Sequence, residues 1–323
     1  MGKNKLRKFA EMETIPFVFQ YPYSRLAAEG MAVPAGRNGN DGSDGNNGSN
    51  AESYNSHNGH DSHNSYNSHN GNNGGSGAAG RPAFPLRGRW HEDFFHNHGP
   101  IILELGCGKG EYTVALAQRF PQANFIGVDI KGARMHSGAT AAQRLGLANV
   151  AFVRTSIELL EAFFAPGEVD HLWVTFPDPQ MKKARKRLTS TRFLPMYRRL
   201  CGSSGSVRLK TDSPFLYTYT RGLAHLNRLP VYADIPDLYA AGARIPDDMA
   251  DIMDIRTHYE RQWLDRGLTI KYLHFGLPAD EGAALEEYTE DIPEDTYRSY
   301  SRGQVQCPGT CPLPPVTDLG TQA

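Results

Sequence analysis

The sequence predicts a doubly wound α/β fold, and three observations carry the prediction. An apolar run, Ile101, Ile102, Leu103 and Leu105, stops at three alternate glycines, Gly106, Gly108 and Gly110, the pattern of a buried parallel strand that runs into a tight turn. A second apolar run over residues 125–128 ends in Asp129. Beyond it, segments of helical and strand character alternate at the spacing of parallel βαβ units. Ligands in such sheets bind outside the carboxyl ends of the strands, so the glycine turn and Asp129 mark the end of the molecule where chemistry is expected.

Taken in order, residues 1–35 place Lys3, Lys5, Arg7 and Lys8 ahead of Met12, Ile15, Phe17, Val18 and Phe19. Basic residues followed by aromatics suit an arm that lies on phosphates or over a bound substrate; a solvated terminus whose aromatics staple it to the core fits equally well. Residues 36–80 read as a disordered linker. Between positions 38 and 77 there is no Leu, Ile, Val, Phe, Met or Trp, and residues 53–59 recur as 65–71. Such a segment cannot bury enough apolar area to offset its chain entropy. Its histidines His57, His60, His63 and His69 belong to that expanded repeat more than to a metal site. Aromatics return at Phe84, Trp90, Phe94 and Phe95 and lead into the first strand. The expected folded domain is 81–302, with 303–323 a flexible tail. Inside it the pattern gives strand 101–105, helix 112–120, strand 125–128, helix 131–145, strand 150–153, helix 157–164 and strand 169–176.

Without linker and tail, the 323-residue chain keeps roughly 260 residues, which suits one α/β domain with additions. The formal net charge is −1, so a nucleic-acid surface has to be local. Four cysteines, Cys107, Cys201, Cys307 and Cys311, are too few and too scattered for a disulfide framework, which implies a reducing compartment. Cys307 and Cys311 have the spacing of half a zinc site but no partner pair, so no metal is expected. There is no apolar segment behind the basic N-terminus and no run of membrane-spanning length, which predicts a cytoplasmic protein with no membrane contact and no evident obligate protein partner. The Met-Gly start does not complete a myristoylation motif, because position six is Leu6.

Glycine in the turn lets the backbone take φ > 0 and approach a ligand closely. An acid at the end of the second strand can accept hydrogen bonds from ribose hydroxyls, which serves nicotinamide dinucleotides and S-adenosylmethionine alike. Glu104 separates the two: its charge at the strand end would repel a pyrophosphate but suits a sulfonium or ammonium. The turn therefore reads as a site for S-adenosylmethionine.

The fourth strand ends in Phe176-Pro177-Asp178-Pro179, where two prolines fix an extended loop around Asp178. No acid follows until Asp212, while ten bases intervene: Lys182, Lys183, Arg185, Lys186, Arg187, Arg192, Arg198, Arg199, Arg208 and Lys210. In a protein of balanced charge such a run suggests phosphate contact, most simply with an RNA backbone. Asp178 would lie between the cofactor and this track, where a carboxylate can stabilise a developing cation or accept from guanine N1–H and N2–H₂. Its alternative role is that of an ordinary turn aspartate.

The combination of Glu104-Leu-Gly-Cys-Gly-Lys-Gly, Gly127-Val-Asp129, Asp178-Pro-x-x-Lys182-Lys with Arg187, Lys210-Thr-Asp212 and Thr257-x-Tyr-Glu260 resembles the bacterial tRNA (guanine-N7-)-methyltransferase family over residues 84–275. The resemblance implies a Rossmann-like class I methyltransferase fold, with a seven-stranded sheet whose last strand is antiparallel. It implies transfer of a methyl group from S-adenosylmethionine to N7 of guanosine 46 in the tRNA variable loop. It also implies that Glu104, Gly106, Gly108, Asp129, Ser156 and Asp178 contact the cofactor, that Lys182, Asp212, Thr257, His258, Tyr259 and Glu260 contact the substrate, and that Asp178 is catalytic. The chain departs from the family pattern in two places: Gln180-Met181 stands where the family commonly has Trp-Pro, and Ser156 where it has a third-strand acid. Other readings are a methyltransferase of another RNA site or of a small molecule, a tRNA-binding protein without activity, and a nucleotide-dependent oxidoreductase.

Overall fold

Along each central strand, alternate side chains enter different cores. In β2 (Ile101–Leu105), Ile101, Leu103 and Leu105 belong to one apolar cluster and Ile102 to the other; in β4 (Val150–Arg154), Ala151 and Val153 part from Val150 and Phe152 in the same way. A strand buried on both faces is what a parallel sheet covered by helices requires. The computed structural model describes residues 3–31, 83–240, 242–243, 250–280, 282 and 284–297. The expected linker 36–80 and tail 303–323 lie outside the described residues.

The chain opens with α1 (Lys3–Glu13), β1 (Val18–Gln20) and α2 (Tyr23–Ala28). After β2 come α3 (Glu111–Arg119), β3 (Asn124–Val128) and α4 (Gly132–Leu145), then β4 and β5 (His171–Thr175). The second half runs α5 (Leu194–Cys201), β6 (Ser206–Thr211), α6 (Pro214–Leu226), β7 (Val231–Ile235), α7 (His258–Leu264) and β8 (Lys271–Gly276). The strand order is β1-β4-β3-β2-β5-β6-β8-β7, parallel throughout except that β8 is antiparallel to both β6 and β7. The doubly wound fold and the antiparallel last strand agree with the sequence. The sheet has eight strands because β1 adds to the edge of the seven.

That added strand decides what the N-terminal segment does. Phe19 packs edge to face against Phe84, Trp90 and Phe94, with centroids 5.5, 5.5 and 5.6 Å away. Trp90 is fully buried, stacks on Phe164 and donates from Nε1 to Phe163 O at 3.0 Å. Phe9 of α1 lies under the Arg154 guanidinium, 4.3 Å from its ring centroid. The aromatics staple the segment to the core, as the second of the two readings has it.

Two segments differ locally from the expectation. Residues 157–164, read as a helix, form a 3₁₀ helix over Ile157–Ala162. The strand expected to reach position 176 ends at Thr175, because Phe176 takes a left-handed conformation at φ 48°. Among the described residues no helix is long and apolar enough to cross a membrane.

Candidate active site

The strand order reverses between β2 and β5, and the cleft at such a switch point is where open α/β sheets bind ligands. Glu104 spans that junction from below. Its carboxylate accepts from Thr113 N at 2.8 Å and from the Thr113 hydroxyl on α3, and from Thr175 Oγ1 on β5 at 2.5 Å. Burial pushes the carboxyl up to about 7, with the three donors acting in the opposite sense and Asp129 adding to the rise. A group held there titrates near neutrality, and a cation placed beside it would pull it toward ionisation.

Above Glu104 the turn is shaped by its glycines. Gly106 at φ 79° and Gly108 at φ 55° are left-handed, and a Cβ on Gly106 would meet nothing within 4 Å. On Gly108 it would meet only Gly106 O, at 3.9 Å. Gly110 has another reason to be glycine: a Cβ would stand 2.7 Å from the Phe152 ring and 3.2 Å from Gly138 Cα. The third glycine thus serves helix-to-strand packing, and the first two leave a cradle open. Asp129 closes its side, with Oδ2 accepting from Gly108 N at 2.9 Å and Oδ1 from Lys131 N at 2.6 Å. The carboxylate is partly exposed, and its remaining lone pairs suit a pair of ribose hydroxyls. Ser156, at the end of β4, donates its hydroxyl to Glu158, so an acid stands two residues beyond the position at which the family pattern has one. The cradle, the ribose-type acceptor and the near-neutral carboxylate fit S-adenosylmethionine.

On the other side of the switch point, Phe176 and Gln180 both take φ 48°, and they bracket Pro177-Asp178-Pro179. Left-handed backbone at two residues other than glycine is costly and persists only where the surroundings over-determine it. Here the surroundings are Phe176 N bonded to Lys210 O at 2.8 Å and Arg187, which donates to Gln180 O at 3.2 Å and Met181 O at 2.8 Å. The Arg187 guanidinium is itself clamped over Phe215 and Tyr219 at 4.8 and 4.2 Å. The loop is therefore held firmly with Gln180-Met181 in it. Asp178 is exposed, and its Oδ1 accepts from Gln180 N at 3.2 Å.

The ten-base track divides in two, which corrects its reading as one surface. Lys182, Lys183, Arg185, Lys186 and Arg192 are exposed. Arg187, Arg198, Arg208 and Lys210 are buried; Arg198 donates to Pro278 O and Ala279 O at 2.7 and 2.9 Å, and half-buried Arg199 pairs with Glu161 at 2.6 Å. Arg198, Arg199 and Lys210 find their acceptors outside the run, at Pro278, Ala279, Glu161, Ile255 and Glu260, whereas Arg187 finds its own inside it.

The expected substrate residues divide likewise. Lys182, His258 and Tyr259 are exposed, with the Tyr259 ring edge-on to Phe176 at 6.3 Å. Glu260 is fully buried: its carboxylate lies 2.9 Å from Lys210 Nζ and accepts from the Tyr239 hydroxyl. With Thr257 it also forms the capping box of α7, since Thr257 Oγ1 accepts from Glu260 N at 3.2 Å and Glu260 accepts from Thr257 N at 3.4 Å. Asp212 is fully buried as well, with Oδ2 accepting from the Tyr297 hydroxyl at 2.7 Å. Thr113, Thr175 and Tyr297 escaped the sequence reading, because nothing in their local pattern shows that a distant carboxylate needs their hydroxyls.

The arrangement agrees with known proteins. Residues 98–273 match a family model described as a putative methyltransferase. A tRNA (guanine-N(7)-)-methyltransferase of Porphyromonas gingivalis is 58% identical over 222 residues, covering 69% of this chain and 89% of that protein. Proteins of the same name from Bacteroides thetaiotaomicron and Bacteroides fragilis are 44% and 45% identical over 304 residues, each covering 94% of this chain and 97% of the relative.

Proposed function

The chain belongs to the tRNA (guanine-N(7)-)-methyltransferase family, and from that premise we propose that it methylates N7 of the variable-loop guanosine in tRNA, using S-adenosylmethionine. The observation that carries this reading is the meeting, at one sheet switch point, of an open glycine cradle flanked by Glu104 and Asp129 with a firmly held, exposed Asp178 and a strip of exposed bases. Glu104, Gly106, Gly108, Asp129 and Ser156 hold the cofactor in this reading, and Asp178 lies between cofactor and base. Lys182, His258 and Tyr259 meet the RNA, and Asp212, Thr257 and Glu260 shape the wall behind it. In this reading the enzyme works in the cytoplasm, where bacterial tRNA is.

When bound, the cofactor supplies a methyl group on a cationic sulfur. Guanine N7 carries a free lone pair, so the protein has no proton to remove from the nucleophile, and its task is alignment. Fixing two reactants in line is worth several kcal/mol or more. The rigid loop holds Asp178 where its carboxylate can accept from the guanine N–H edge and favour the positive charge that develops on the purine. The decisive experiment incubates the purified protein with labelled S-adenosylmethionine and unmodified bulk tRNA and identifies the product nucleoside. 7-Methylguanosine is the expected product; cofactor binding without turnover would leave a binding protein, and label in other RNA or small molecules would point to a different methyltransferase.

Two further results are expected. Glu104 titrates near 7 in the free protein, and a cationic cofactor favours its ionised form. Binding must therefore release a proton below that pH. Cofactor affinity should be flat above about pH 7 and fall by up to roughly tenfold per unit below it. Calorimetry in buffers of different ionisation enthalpy reads the proton directly, and an affinity level from about pH 6 to 8 would detach Glu104 from the cofactor. For the RNA, Lys182→Glu, Lys183→Glu and Lys186→Glu together should weaken tRNA binding and reduce the slope of log K on log salt by about 2–3, since fewer counterions are released. An unchanged slope would place the RNA on another face. Arg187 does not belong in that set, because its charge holds the loop.

A further inference from the structure

Beyond β8 the chain doubles back along α6, and each of its anchors is a specific pair of groups. At the C-terminal end of α6, Asn227 Nδ2 donates to Glu286 O at 2.8 Å and Glu286 N donates to Asn227 Oδ1 at 2.7 Å. Glu287 accepts from Thr191 Oγ1 at 2.6 Å and from the Tyr219 hydroxyl. Tyr288 covers Gly222 so closely that a Cβ there would stand 2.4 Å from the ring. At the other end of α6, Asp295 accepts from Ser213 Oγ at 2.5 Å and from Phe215 N at 3.1 Å, completing the helix N-terminus. Its own N–H points to Met181 Sδ at 3.1 Å, within the loop that carries Asp178. Two residues later, Tyr297 reaches Asp212.

The end of this strap is thus built into the substrate side of the sheet. A buried carboxylate such as Asp212 needs hydrogen bonds to hold its charge and its orientation, and Tyr297 brings one from 85 residues further along the chain. The Tyr297 ring also meets Trp263 edge to face at 5.3 Å, Trp263 meets Tyr259 at 5.4 Å, and Tyr259 meets Phe176 at 6.3 Å. This aromatic series joins the strap to the Asp178 loop, and its most exposed member is Tyr259, at 41%. Enzymes that act on a base within structured RNA take it onto aromatic faces and read its N–H groups with acceptors.

We propose that Tyr297 is a positioning residue of the guanosine site, fixing the Asp212 carboxylate through its hydroxyl and the Trp263–Tyr259 face through its ring. The strap is then the last wall of the substrate site. This inference rests on the proposed function and adds to it a residue outside the span matched by the family model.

Steady-state kinetics of the full-length Tyr297→Phe enzyme test it. The substitution keeps the ring and removes one hydrogen bond to a charged group, so KM for tRNA should rise about tenfold. The turnover number should change less, and cofactor affinity should stay at the wild-type value. In an Asp212→Asn background, Tyr297→Phe should add no further rise, since both changes cut the same link. Full additivity of the two would overturn the proposal. So would a lowered thermal midpoint with KM for tRNA unchanged, which would make the strap a brace only. A wild-type protein that methylates no tRNA would remove the proposed function itself, whereas normal wild-type turnover with an unmoved KM in Tyr297→Phe would remove this inference alone.

Discussion

Replacing Lys210 with Met is expected to lower folding stability by about 3–5 kcal/mol, the usual cost of leaving a buried charge without its partner. Lys210 Nζ lies 2.9 Å from Glu260 Oε1 and 3.1 Å from Oε2, and donates to Ile255 O at 3.0 Å. Both side chains are fully buried, so water cannot replace either one. Burial lowers the pKa of the Lys210 ammonium, and Glu260 opposes that shift. Methionine retains the stem and its packing, and what is lost is the charge. For a domain of this size the thermal midpoint should fall by roughly 10 °C. The double variant Lys210→Met, Glu260→Gln should recover much of the loss, because no charge is then stranded. Thermal and urea unfolding check both. A single-variant loss below about 1 kcal/mol would mean that Glu260 is neutralised by some other route. The effect also bears on RNA binding, since this pair fastens α7 and therefore Tyr259 to β6.

The same pair shows where sequence reasoning reached and where it stopped. Lys210 was visible as a base in an acid-free run and Glu260 as part of a resemblance, and nothing local indicated that they face each other across 50 positions. The glycine turn was legible because its requirement is local: left-handed backbone at Gly106 and Gly108 restricts the residue type whatever lies around it. Strand and helix alternation was legible for a similar reason, as period and turn signals need no tertiary information. Burial of charge is a different kind of fact. Arg187, Arg198, Arg208 and Lys210 look in sequence like Lys182 or Arg185, and only the fold separates a guanidinium stacked on Tyr219 from one that faces solvent. For Phe19, apolar character marked it for contact, and the strand β1 that delivers it to Trp90 is too short to declare itself by period.

For Asp178→Asn, a fall in turnover of roughly 10²–10³ is expected, the range seen when one preorganised electrostatic contact is lost. Asparagine keeps the shape and one acceptor, so the turn to Gln180 N can persist and the loop, pinned by Arg187 and Phe176, should stay in place. What changes is the charge, together with a new amide donor that would face the N–H groups of guanine. An interaction made mainly in the transition state affects kcat more than KM, so tRNA affinity should move far less than turnover. The pH profile separates this role from proton abstraction. At saturating cofactor, the wild-type kcat should show no limb above about pH 6 belonging to a general base, because N7 has no proton to lose. The titration of Glu104 would then appear only in cofactor affinity. Near-normal turnover in Asp178→Asn would reduce the residue to a structural turn, and a fall in rate at low pH that is present in the wild type and absent in the variant would replace alignment with general-base chemistry at this carboxylate.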